Sequence, residues 1–362
     1  MKKPTELTIP KTSALLIGAY TESVEESNVA MAELKALAES AGLVVADCII
    51  QRRRQLDPKT LIGKGKIEEI VELSQKLEVN LLIFDKELKP SQLRAITSLT
   101  DLKVIDRSML ILDIFAQRAK TSEGRLQVEL AQLKYSLPRL TDLDSGLSRL
   151  TGGIGGRGPG ETKLEISRRR ARERIAILQE QINEISKRRG VKRNKRESQQ
   201  IPVIAIVGYT NAGKSTLLNA LTKSSTWTED KLFATLDTTS RRMYLASGLE
   251  VIFVDTVGFI RDLPKELVTA FKATLEEIET ADVLLHLADI TDPDLSRRIK
   301  VVADTLESLN VYTKPQILVL NKIDAFESEQ VKILAEQFHA LTISAKQRIG
   351  LQELIQNLRN CV

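Results

Sequence analysis

IVGYTNAGKSTLLNALT, residues 206–222, passes from an apolar run through a glycine-bounded loop into a helix-forming run. The apolar run Ile201–Val207 reads as a buried strand. It leads into Gly208, Tyr209, Thr210, Asn211, Ala212, Gly213, Lys214, Ser215 and Thr216, and then into the helix. Glycines at this spacing let consecutive backbone N–H groups curl around a phosphate chain, and the helix N-terminus adds its dipole. Lys214 would reach the terminal phosphates, and the Ser215 hydroxyl would serve as a ligand for Mg2+. Strand, loop and helix together predict a phosphate-binding α/β domain over 201–362.

The segments that follow extend this reading. VIFVDTVGFIRD, 251–262, is a strand that ends at Asp255 and runs into Thr256, Val257 and Gly258. Asp255 would hold the metal through water, and the Gly258 N–H would sense a γ-phosphate. LFATLD, 232–237, lies between the two motifs and contributes Phe233, Ala234, Thr235, Leu236 and Asp237. A threonine there would complete the metal shell; Thr235 is the first choice, with Thr238 and Thr239 as competitors. The expected metal ligands are therefore Ser215, Thr235 and Asp255, and the expected catalytic groups are Lys214, Thr235 and Gly258. Directly after Gly258, where many nucleotide switches carry glutamine, stands Phe259. Its side chain cannot orient a water, so slow turnover of the free protein is expected.

Base choice is read from PQILVLNKID, 315–324. A buried strand at 316–320 delivers Asn321, Lys322, Ile323 and Asp324 at its C-terminal edge. A carboxylate at 324 accepts two hydrogen bonds from guanine, whereas adenine presents no such donor pair. TISAK, 342–346, adds Ser344, Ala345 and Lys346, with the Ala345 N–H available to the guanine O6. Four motifs in this order imply GTP and GDP rather than ATP. They argue against a metabolic enzyme with a second substrate.

Upstream, residues 13–118 alternate strand and helix: SALLIGAY, LVVADCII, NLLIFDKEL and LKVIDRS are strand-length apolar runs, with helical stretches such as 24–41 and 66–77 between them. Such alternation predicts a small parallel sheet covered by helices. LIGKGK, 61–66, is read as a turn capping the next helix rather than a second phosphate site. Leu126, Leu130, Leu133 and Leu137 share one helical face, as do Ala171, Ile175, Leu178, Ile182 and Ile185. The two helices are expected to pair as an antiparallel coiled coil. Between them lies the glycine-rich GGIGGRGPG, 152–160, far longer than closure needs and read as an interaction tip. The expected architecture is an N-terminal parallel α/β domain over 1–120, a coiled-coil hairpin with a basic hinge over 121–200, and a P-loop domain over 201–362.

Charge is nearly balanced overall, with 53 basic and 48 acidic residues, but it is segregated. Residues 167–200 hold twelve Arg or Lys against four Glu, leaving the remainder slightly acidic. A basic helix on such a chain suits a polyanion such as RNA. Two cysteines, Cys48 and Cys361, suggest neither a metal site nor a disulfide framework, and fit the cytoplasm. His286 sits in ADVLLHLAD and is read as a packed strand residue. No apolar run approaches the ~18 residues of a membrane span, and ALLIGAY reads as a strand rather than a leader. A monomer is expected.

GGIGGRGPGETKLEISRRR, LFATLD, DTVGFIRDLP, DRSMLILDIFAQRAKTSEGRLQVELAQLKY and RRRQLDPKTLIGKGK strongly resemble the HflX family of bacterial GTPases, from about residue 13 onward. The chain departs at Thr238, where the family often has proline, and at Gly156, where it often has threonine. Some members carry an extension after the position of Val362. The resemblance implies a cytoplasmic GTPase that binds the large ribosomal subunit and acts in splitting or rescuing stalled ribosomes, with the N-terminal domain and coiled coil reaching rRNA. Related potassium-stimulated GTPases carry asparagine where Asn211 stands, which makes K+ a second candidate ion. The rival reading is a regulatory GTPase acting on a protein complex or membrane.

Overall fold

The computed structural model describes residues 12–140, 163–197, 201–222, 232–233, 239–245, 248–261 and 272–361. The chain divides into two compact units, residues 1–117 with 132–175, and residues 118–131 with 176–362.

The first unit carries β1 (Ser13–Tyr20), α1 (Val24–Ser40), β2 (Val44–Arg52), α2 (Lys64–Lys76), β3 (Leu81–Phe84), α3 (Pro90–Thr100), β4 (Lys103–Asp106) and α4 (Arg107–Arg118). The strands form one parallel sheet in the order β2-β1-β3-β4. Local chemistry sets the punctuation. Ser23 opens α1 with a capping box: its hydroxyl accepts from the Glu26 N–H at 3.2 Å, and the Glu26 carboxylate accepts from the Ser23 N–H at 3.3 Å. Gly63 is the N-cap of α2, in line with the capping reading of LIGKGK, and Gly65 lies in the first turn of the helix. Apolar side chains of β1 and β3, among them Leu15, Ile17, Leu82 and Phe84, pack against Ile67, Ile70 and Ile96 of the helices.

At the C-terminal edge of this sheet the interior is polar. Arg107 is buried between Asp85 at 3.1 Å and Glu33 at 2.6 Å, and Tyr20 donates to Asp85 at 2.8 Å. The neighbouring Asp106 accepts from the Leu88 N–H at 3.0 Å and from the Tyr135 hydroxyl at 2.5 Å. Arg139 stacks 3.4 Å from the Tyr135 ring centroid and lies 3.7 Å from Asp106. Burial beside the Asp106 carboxylate pushes the Tyr135 phenol far above its usual range, so it remains a donor.

Tyr135 belongs to α5 (Ser122–Ser136), whose counterpart is the long α6 (Lys163–Glu197). At one end Arg189 of α6 meets Glu123 of α5 at 3.0 Å; at the other Arg168 donates to the Leu140 carbonyl at 2.9 Å. Start meets finish at both ends, so the helices run antiparallel. Along α6 the expected seam is the sheltered face: Ala171 and Leu178 are buried, and Ile175, Ile182 and Ile185 are half-buried. On α5 the expectation needs correcting. Leu130 is buried, but Leu126 and Leu133 are only half-buried, as is Leu137 just past the helix end, and the other buried side chains are Gln127, Val128, Ala131 and Tyr135. The Tyr135–Asp106 bond helps to orient the helix, which a leucine repeat does not reveal. The glycine-rich tip at 152–160 lies outside the described residues.

The second unit is a six-stranded sheet. Its elements are β5 (Val203–Gly208), α7 (Lys214–Thr222), β6 (Thr239–Tyr244), β7 (Glu250–Asp255), α8 (Lys272–Thr280), β8 (Val283–Asp289), α9 (Leu295–Ser308), β9 (Gln316–Asn321), α10 (Ser328–Phe338), β10 (Leu341–Thr342) and α11 (Leu351–Cys361). The order is β10-β9-β8-β5-β7-β6, parallel except for β6. One core joins Ile204, Ile206, Phe253 and Leu285 of the strands to Leu217 and Leu218 of α7 and Leu354 and Leu358 of α11. Strand order reverses at β5, whose neighbours are β7 and β8. Doubly wound sheets bind ligands outside the C-terminal ends of the strands at such a reversal. The 209–213 loop stands there.

Candidate functional site

The loop after β5 has little freedom. A Cβ at Gly208 would collide with the Leu287 carbonyl oxygen, and one at Gly213 with the Asn321 side chain, at a φ of +92° that L residues rarely adopt. Asn211 has a φ of 63°, a region asparagine tolerates. Its side chain is exposed and makes no hydrogen bond among the described residues. Lys214 is buried, and its Nζ donates to the carbonyls of Gly208 at 3.2 Å and Tyr209 at 2.9 Å. Burial pulls its ammonium down to about 8, against the upward pull of the Asp255 carboxylate.

Asp255, at the end of β7, accepts from the Ser215 hydroxyl at 2.6 Å. Two of the three expected metal ligands therefore meet, and hydroxyl plus carboxylate is the hard-oxygen set that suits Mg2+. The third, Thr235, lies outside the described residues together with Ala234, Leu236, Asp237 and Thr238. Its competitor Thr239 is held in β6 opposite Asp255. Thr256 anchors the turn by donating to the Ile206 carbonyl at 2.7 Å. Val257 and Phe259 are buried, as is Phe233.

At the base end, Asn321 ties two loops together. Its Nδ2 donates to the Ala212 carbonyl at 2.9 Å, and its Oδ1 accepts from the Ala345 N–H at 2.9 Å. The N–H assigned from the sequence to the guanine O6 is thus held by Asn321 here, so contact with a base requires that bond to be shared or exchanged. Asp324 follows in a short turn of 3-10 helix, Ile323–Ala325, and accepts from the Ser344 hydroxyl at 2.5 Å. Lys322 pairs with Asp289 at 2.7 Å, and Lys346 is exposed. Sequence reasoning chose Ser344 for its place in the strand end and missed the work of its hydroxyl, which orients the carboxylate. It also missed the role of the Tyr209 side chain, whose oxygen accepts from the Arg261 N–H at 2.9 Å beneath the Arg298 guanidinium.

Comparison with known proteins completes the assignment. Three family descriptions match in chain order: GTP-binding GTPase N-terminal over 28–116, GTP-binding GTPase Middle Region over 118–196, and 50S ribosome-binding GTPase over 203–322. GTPase HflX of Caldanaerobacter subterraneus subsp. tengcongensis is 49% identical over 97% of this chain and 81% of its own length. The chain belongs to the HflX family of GTPases. GTPase HflX of Escherichia coli is 43% identical over 90% of this chain and 77% of its own length. The crystal structure of the SsGBP–GDP complex matches with a TM-score of 0.50 and 28% identity over 97% of this chain and 98% of that one. As an HflX-family protein the chain hydrolyses GTP, with the Mg2+ dependence general to such enzymes. No described helix is long and apolar enough to cross a membrane.

His286 of this HflX-family chain is buried in β8, as expected, opposite Val207 of β5. Burial, with a smaller push from Lys214, brings its imidazole down to about 4. Between pH 6.5 and 4 the unfolded chain binds a proton at this residue that the folded chain does not, so stability falls as pH falls through that window. The loss should reach up to about 3 kcal/mol. Denaturant unfolding at pH 7 and pH 4 checks it: His286→Gln should lose less stability than the parent over that interval, and equal losses would remove the assignment.

Proposed function

We propose that this chain is a GTP-controlled factor of the large ribosomal subunit, acting in the splitting or rescue of stalled ribosomes. The reading gives residues 1–120 and 121–200 the task of reaching rRNA and residues 201–362 the task of switching. The feature that carries it is the segregation along the chain of a long basic helix, Lys163–Glu197, from the guanine-type motifs that follow it. Arg169, Arg170, Arg172, Arg174, Lys187 and Arg188 are exposed along α6, a row suited to phosphates. The description of the match over 203–322, a 50S ribosome-binding GTPase, supports the same partner. Such a protein would work as a monomer in the cytoplasm. Co-sedimentation with large subunits in a GTP analogue and in GDP, across a salt series, tests it. Binding that favours the GTP form and weakens steeply with salt is expected; salt-insensitive binding, or none, would sink it.

Within the site, Lys214 and the Gly258 N–H bind the terminal phosphate, Ser215, Asp255 and Thr235 hold Mg2+, and Asp324 selects guanine. Bound Mg2+ would neutralise phosphate charge. The buried Phe259 supplies no polar group, so turnover of the free protein is slow and large subunits accelerate it by ordering the switch segments. Asn211 is the candidate K+ ligand, where a monovalent cation would offset charge developing between the β- and γ-phosphates. Its exposed, unbonded amide favours this over a bracing role in the loop. GTP turnover should be several-fold faster in potassium than in sodium at equal ionic strength, and Asn211→Ala should erase the difference. Equal parent rates in the two salts would remove the cation.

A further inference from the structure

The residue that follows Gly258 does more than lack a polar side chain. Its backbone is paired to the phosphate loop. The Phe259 N–H donates to the Gly208 carbonyl at 3.1 Å, and the Thr210 N–H donates to the Phe259 carbonyl at 2.9 Å, forming an isolated parallel bridge between Tyr209 and Phe259. Two residues on, the Arg261 N–H donates to the Tyr209 phenol oxygen at 2.9 Å. The Tyr209 ring is held from the other side by Arg298, whose guanidinium lies 4.7 Å from its centroid and is anchored by Asp292 at 2.5 Å. Three hydrogen bonds thus clamp the 258–261 stretch onto the loop that must receive the nucleotide.

This clamp brings Gly258 close against Lys214. A single Cβ added there would stand 2.9 Å from Lys214 Nζ and 2.9 Å from Thr210 Cα, so the chain at Gly258 lies close beside the ammonium and the loop. The β-phosphate of a diphosphate needs the loop N–H groups and Lys214, and can leave Gly258 in place. A γ-phosphate would compete for the space beside Lys214 and Gly258, and would draw the stretch outward to take the Gly258 N–H. A group that competes with one ligand and not the other sets the ratio of their affinities.

We propose that Tyr209 is a specificity-determining residue for the terminal phosphate: its phenol, by holding Arg261, biases the protein toward GDP and charges the opening of the clamp against GTP. The inference rests on the nucleotide reading of the loop and deepens it. Tyr209→Phe keeps the ring under Arg298 and deletes the hydroxyl that accepts from the Arg261 N–H. One net hydrogen bond corresponds to a factor of about three to ten.

The test is equilibrium binding of the full-length variant to GDP and to a non-hydrolysable GTP analogue in Mg2+. Tyr209→Phe should raise the ratio of analogue affinity to GDP affinity about three- to tenfold, a change that a loosened site would not produce. An unchanged ratio, or equal weakening for both nucleotides, would overturn the proposal while leaving the nucleotide site intact. Failure of the parent protein to bind GDP would instead overturn the reading beneath it.

Discussion

Asp324→Asn should lose GTP by roughly 1,000-fold or more and gain xanthosine triphosphate. The carboxylate would accept from the guanine N1–H and the exocyclic amine, and an amide cannot accept from both. In the structure the Ser344 hydroxyl donates to Asp324 at 2.5 Å and Asn321 ties the same corner to the phosphate loop, so the replaced side chain would remain oriented. An asparagine can keep its oxygen on Ser344 and turn its NH2 outward, where the extra carbonyl of xanthine accepts. Competition binding with the two triphosphates measures the exchange. GTP affinity equal to that of the parent would show that base choice lies elsewhere.

Reversing the exposed arginines of α6, as Arg169→Glu, Arg170→Glu, Arg172→Glu and Arg174→Glu together, should reduce large-subunit affinity roughly 1,000-fold near physiological salt. Each lost phosphate contact also removes a released counterion, so the dependence of affinity on salt should flatten in the same variant. These side chains are exposed, whereas Ala171 and Leu178 are buried, so helix and GTP binding should survive. Subunit binding at the parent level would move the rRNA contact off this helix.

Much of this molecule is local and therefore legible from sequence. Gly208, Gly213, Lys214 and Ser215 must span a strand end and a helix start, because the loop functions only at the end of a buried strand; Gly208 ends β5 and Lys214 opens α7. The strand runs of the first unit announce themselves by length and apolarity, and the 171–185 seam by its spacing. The packed reading of His286 follows from its apolar neighbours and holds, since charging an imidazole in that strand would cost its burial.

Other features depend on which segments become neighbours across the chain. The buried face of α5 turned away from the leucine repeat because Tyr135 finds Asp106, 29 positions earlier. The Ser344–Asp324 bond, the Asn321–Ala212 tie and the Tyr209–Arg261 clamp join residues 20, 109 and 52 positions apart. Periodicity and motif spacing describe one segment at a time. A guanine-type phosphate site on an α/β sheet is legible without coordinates, because that chemistry is written in contiguous residues. That the residue after Gly258 is zipped to the phosphate loop emerges only from the folded chain, because hydrogen bonds between distant backbone groups carry no side-chain signature.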